Sequence, residues 1–119
     1  MTLHDRPSAA ELVAAVREYL ERDVMTATEG RVAFHARVAV NVLGMVEREL
    51  ELGEAQDVEE HARLVALLGR DGTVRELTEA LARGIRDHSL DAPWSDLVDS
   101  VRGTVRAKLE VANPGYLDR

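Results

Sequence analysis

The sequence contains no cysteine, so disulfide staples and thiolate chemistry have no part in its stability or function. Aromatic residues are nearly missing: Tyr19, Phe34, Trp94 and Tyr116 make up 3% of the chain. A core must therefore be assembled from Leu, Val and Ala, which favours close helix packing. Lysine occurs as Lys108 alone; every other basic residue is arginine, a bias too global to mark a site. Long hydrophobic runs are absent as well. The longest uncharged stretch of the helical middle, Val38 to Val46, falls far short of the ~20 residues that cross a bilayer, so no membrane association is expected. Met1 to Pro7 lacks the apolar stretch of a signal peptide, and a cytoplasmic location is the expectation. Positive charge is in deficit, with a net charge of −7; phosphates repel such a surface, and no nucleic-acid partner is expected.

What is present is a globular balance, 45% hydrophobic and 31% charged. A chain of 119 residues holds one core of ordinary size but not two, so a single domain is expected. Valine is frequent, yet it falls at helical spacing and not in alternation, so no strand is expected.

The pattern predicts an all-α, compact bundle of about five helices. The first starts at Ser8, with Glu11 three residues on as a capping box, and carries the stripe Leu12, Val16, Tyr19, Leu20, Val24. Met25 to Gly30 interrupts it. The second runs from about Arg31 to Leu52 with Gly53 as its stop, and the third from about Gln56 to Leu68, ended by Gly69. Thr73 and Glu76 form a second capping box at the start of the fourth, which ends near His88. The fifth starts around Pro93 and is stopped by Asn113-Pro114-Gly115. Connections this short predict antiparallel neighbours.

The second helix is the most informative. Phe34, Val38, Val42 and Met45 share one face, and Val32, Leu43, Val46 and Leu50 share another, roughly opposite. A helix apolar nearly all round is a buried one, so it is expected at the centre of the bundle. Arg37, Asn41, Gly44 and Arg48 fall on one strip between these faces. Each guanidinium carries five donors and no acceptor, so a strip of this kind meets either internal carboxylates or an acidic ligand or partner. Glu11, Glu18, Asp99 and the segment near Asn113 and Tyr116 are the internal candidates.

Catalytic motifs are not in evidence. The chain has no Glu-x-x-His pair, no His-Glu-x-x-His and no phosphate loop. Asp57 and His61 stand four apart and could share a metal, but a surface pair is the simpler reading; no metal and no cofactor are expected. Of His4, His35, His61 and His88, only His35 lies on an apolar face, either as a satisfied core histidine or as an acid–base group working with Glu49 or Asp57. Glu47, Glu49, Glu51, Glu54, Asp57, Glu59 and Glu60 make one corner acidic, a solvated face or an attraction for a basic partner.

Several strings taken together carry a resemblance: His4-Asp5-Arg6-Pro7 with Ser8 to Leu12, Phe34-His35-Ala36-Arg37-Val38-Ala39 with Asn41, Glu47-Arg48-Glu49-Leu50, and Asn113-Pro114 with Tyr116. In these the chain resembles, over nearly its whole length, a family of small all-α bacterial proteins classed as a domain of unknown function. Gly115 departs from the pattern, where a larger, often basic residue is expected. Members of that family are often encoded beside aminoglycoside-phosphotransferase-like kinases and acyl-CoA dehydrogenases. The resemblance therefore implies an accessory role in acyl-CoA or related catabolism and supplies no catalytic residue.

Three functions are consistent with this reading: a non-catalytic accessory protein that binds a phosphotransferase-like or acyl-CoA dehydrogenase-like partner, a binder of an acyl or anionic small molecule, and an enzyme using His35. Arg37, Asn41, Arg48, His35, Asn113 and Tyr116 are the candidate binding residues. A homodimer is plausible through the fifth helix, along Val98, Val105 and Leu109.

Overall fold

The structure, a computed structural model, describes residue 3 and residues 5–119; His4 lies outside the described residues. Among the described residues there are helices and no strands. Helix α1 (Ala9–Tyr19) opens on the expected capping box, with the Glu11 N–H donating to Ser8 Oγ at 3.1 Å and the Ser8 N–H to Glu11 Oε1 at 3.4 Å. It runs on through a π-helical turn, Leu20–Val24, and a last α turn, Met25–Ala27. The expected interruption falls within Met25 to Gly30: the helix ends at Ala27, and Thr26 and Thr28 donate their hydroxyls to the Arg22 and Val24 carbonyls at 2.5 and 2.6 Å.

Helix α2 (Gly30–Leu68) is a correction to the sequence expectation. The predicted second and third helices are one, so among the described residues there are four main helices and not five. Gly53 does not stop it because Glu51, Leu52, Glu54, Ala55 and Gln56 on either side are strong helix formers. A mid-helix glycine costs about 1 kcal/mol, less than leaving a set of end carbonyls and N–H groups without partners. Gly69, followed by Arg-Asp-Gly-Thr, takes φ +69° and does end the helix. Helix α3 (Val74–Arg86) starts on the second capping box, Thr73 with Glu76, both bonds 3.1 Å, and is terminated by His88 at φ 62°. Helix α4 (Trp94–Ala112) is followed by a 3₁₀ turn, Pro114–Asp118. Among the described residues no helix is long and apolar enough to cross a membrane.

The chain divides into two compact units, Met1–Gly53 and Glu54–Arg119. In the first, α1 lies antiparallel along the N-terminal half of α2: Arg17 meets Glu47, while Leu20 and Val24 approach Val32, Ala36 and Ala39. Ala36 and Val40 are the buried residues of that half. The expectation of a helix buried all round is not met here. Phe34, Val38, Val42 and Met45 are 60%, 44%, 50% and 38% exposed. At 100° per residue they point away from the side that carries Ala36, Val40 and Glu47, and one helix laid along another covers only one side of it.

In the second unit, the C-terminal half of α2 lies antiparallel to α4. Gln56 Nε2 donates to the Ala107 carbonyl at 2.9 Å, Thr104 Oγ1 to Glu60 Oε1 at 2.8 Å, and Arg63 lies over Gly103. Leu64, Leu77 and Ala80 form the core, with Gly84 packed against Leu90. The predicted homodimer seam is only partly open: Val105 is exposed, whereas Val98 and Leu109 are half-buried.

Candidate functional site

Within the first unit, the predicted binding residues fall in different places. In the first unit, Asn41 and Arg48 line a polar recess of about 350 Å³ between α1 and α2, together with Arg17, Glu21, Glu47 and Glu51. Arg37 is exposed and outside that recess. Asn113 and Tyr116 belong to the second unit, where the Tyr116 N–H donates to the Asn113 carbonyl at 3.1 Å and the Arg119 guanidinium sits 5.9 Å above the Tyr116 ring.

The chemistry of the recess is dominated by an arginine that sequence reasoning did not single out. Arg17 Nε donates to Glu47 Oε2 at 2.7 Å, with both side chains about three-quarters or more shielded from water. That bond, ahead of the neighbouring Glu21 and Glu18 carboxylates, raises the Arg17 pKa above its ordinary value. Glu47 is brought to Arg17 across the antiparallel crossing of α1 and α2. Arg48 folds back along its own helix, its Nη1 lying 3.3 Å from where a Cβ on Gly44 would be. The glycine thus makes room for a guanidinium. Two arginines and three glutamates leave this recess close to internally neutral, a poor attractor for a free anion.

His35 is exposed, with its ring edge-on to Phe34 at 5.5 Å. It lines a second, mostly apolar recess of about 370 Å³ with Arg31, Leu20, Val24, Val32 and Ala36. The proposed acid–base pairing with Glu49 has no geometric basis. Fourteen residues of continuous helix put the two about 21 Å apart. His61 and Asp57 do not form the expected pair either. His61 Nε2 is 2.9 Å from Asp71 Oδ1 and 3.0 Å from the Gly72 carbonyl, so Nε2 carries the hydrogen and ties the α2–α3 turn to the helix. Among the described residues no group of three or more His, Asp or Glu could hold a metal ion.

The first unit also presents an exposed apolar surface. Phe34, Val38, Val42 and Met45 form a continuous apolar band along α2, with Arg31, His35 and Glu49 among them. Leu12, Val16 and Tyr19, each more than half exposed, add apolar area on α1.

The pattern that defines a domain of unknown function, DUF6285, matches residues 26–116. No curated protein and no solved structure matches the chain.

Proposed function

We propose, for a chain that belongs to the DUF6285 family, that it is a non-catalytic interaction protein that docks a partner on the outward face of α2. The observation that carries this reading is the exposure of Phe34, Val38, Val42 and Met45 on one face of a helix whose opposite face is already packed. A solvated helix face is ordinarily polar, and a contiguous apolar band marks a surface that is covered in use. Covering a side chain of this size stabilises a complex by about 1.5–3 kcal/mol before the cost of association. The occupant is an apolar helical stripe of another protein. The family's neighbourhood supplies the candidates, a phosphotransferase-like or acyl-CoA dehydrogenase-like enzyme of bacterial acyl-CoA catabolism, met in the cytoplasm.

The test is co-expression with those enzymes, comparing the native chain with Phe34→Asp and Val38→Asp. The native chain co-purifies with one of them. Each variant loses the partner while its melting temperature stays within a few degrees, because exposed substitutions shift stability by only about 0.5 kcal/mol. A native chain that purifies without either enzyme, or variants that retain the partner, would overturn the reading. A self-associating native chain that becomes monomeric on Phe34→Asp would reassign the face to a second copy.

A further inference from the structure

Where α1 crosses the N-terminal half of α2, the first unit holds the mostly apolar recess of about 370 Å³. Two local features of the sequence form it. Leu20 and Val24 are the first and last residues of the π-helical turn, in which the Met25 N–H donates to the Leu20 carbonyl five residues back. Such a turn is rare and recurs at functional sites. Across from it, α2 presents Ala36 and Ala39, side chains too small to fill the space between the two helices. Val32, 55% exposed, carries the apolar wall out to solvent.

One edge of the recess is different. Arg31 and His35 line it too, and their spacing of four residues puts them on one side of α2, about 6 Å apart along its axis. Among the described residues neither is joined to a carboxylate, and no carboxylate lines the recess. This is unusual in a chain of net charge −7. Three other recesses of similar size all have acidic walls, with Asp96 and Asp99 in one, Glu47 and Glu51 in another, and Glu76 and Glu79 in the third. A concave apolar surface with a few polar groups at one point is the ordinary form of a small-molecule site, and this one lies at the small end of the size range.

The walls select the chemistry of the ligand. A neutral hydrocarbon leaves Arg31 and His35 unused. An alkylammonium ion is repelled by the guanidinium. A small inorganic anion meets the donors and leaves the apolar wall wet. We propose that this recess binds an unbranched aliphatic carboxylate, its chain between the π turn and the two alanines and its carboxylate towards Arg31 and His35. The guanidinium fork matches both oxygens of a carboxylate, and an imidazole N–H adds a further donor. The proposal stands whether or not a partner docks on the outward face of α2, because Ala36 and Ala39 lie on another side of that helix.

The experiment is calorimetric titration and amide NMR of the full chain with octanoate, octan-1-ol, octylamine and acetate. Octanoate shifts the amides of Leu20, Val24, Ala36 and Ala39, and acetate, without a chain, does not. Octanoate binds about fivefold or more tightly than octan-1-ol, the advantage of two solvent-screened polar contacts, and more tightly still than octylamine. The double variant Arg31→Gln, His35→Gln, at two exposed positions, brings octanoate down to the affinity of octan-1-ol and leaves octan-1-ol binding unchanged, which a loosened helix pair would not do. Val32→Asp, also exposed, puts a carboxylate into the wall and abolishes octanoate binding. The proposal is overturned if octanoate shifts none of those amides at millimolar concentration, if octan-1-ol or octylamine binds as tightly, or if the double variant binds octanoate as the native chain does.

Discussion

Arg63 crosses Gly103 so closely that a Cβ on the glycine would lie 2.9 Å from both its Cδ and its Nε. Only a residue without a side chain lets α2 and α4 meet at this point. Gly103→Ala forces the buried guanidinium stem aside and is expected to cost about 1–3 kcal/mol in urea denaturation. Gly44→Ala meets only the flexible tip of Arg48, at 3.3 Å, and is expected to be neutral or slightly stabilising. Equal responses at the two positions would mean that Arg63 does not lie where the structure puts it.

Gly53 offers a test of the single long helix. Its φ is not in the left-handed range, and a Cβ there would meet nothing closer than Glu49 Cγ at 3.8 Å. Gly53→Ala is therefore expected to stabilise the chain by about 0.5–1 kcal/mol. The same change at Gly69, held at φ +69°, is expected to destabilise by about 1 kcal/mol. Loss of stability at Gly53 would restore the two-helix reading.

Arg17 and Glu47 are expected to be coupled by about 1 kcal/mol, more than a fully solvated pair, because both are largely shielded. A double-mutant cycle with Arg17→Met and Glu47→Gln measures it. A coupling of zero would mean that α1 and α2 are held by apolar contacts alone.

Acid exposes three further bonds. The Glu76 carboxyl is held below its ordinary range by the Thr73 N–H and hydroxyl, that of Asp71 by the Gly72 N–H and His61, and that of Asp87 by Ser89. Each binds its proton more tightly in the unfolded chain. Their contribution to stability is therefore complete above the unfolded values near pH 4 and is lost as pH falls below them. Glu76→Gln is expected to lose less stability than the native chain between about pH 5 and pH 3, and Thr73→Ala to cost about 1 kcal/mol at neutral pH. Parallel pH profiles for the native chain and Glu76→Gln would show that the capping box carries no linkage.

The helical class and the ends of most helices could be read from the amino acids because they rest on short-range physics. A capping box closes over three residues, and Ser8–Glu11 and Thr73–Glu76 form as their spacing requires. The fate of Gly53 was also encoded locally, but in the residues after it and not in the glycine. Glu-Ala-Gln continues a helix, whereas the Arg-Asp-Gly-Thr that follows Gly69 turns and starts a new one.

Periodicity placed Phe34, Val38, Val42 and Met45 on one face, and Arg37, Asn41 and Arg48 on one strip. It could not say what covers a face, because that depends on how many neighbours are laid against the helix and on which side. Tertiary structure set α1 against Ala36 and Val40 and left the opposite apolar face in water. It also chose Glu47, thirty residues away in sequence, as the partner of Arg17, and put Arg63 against Gly103. Side-chain identity and helical spacing act within a turn or two and are legible in one dimension. Which carboxylate meets which arginine, and which donor is left without an acceptor, follow from the register of two antiparallel helices, and that register exists only once the chain has packed.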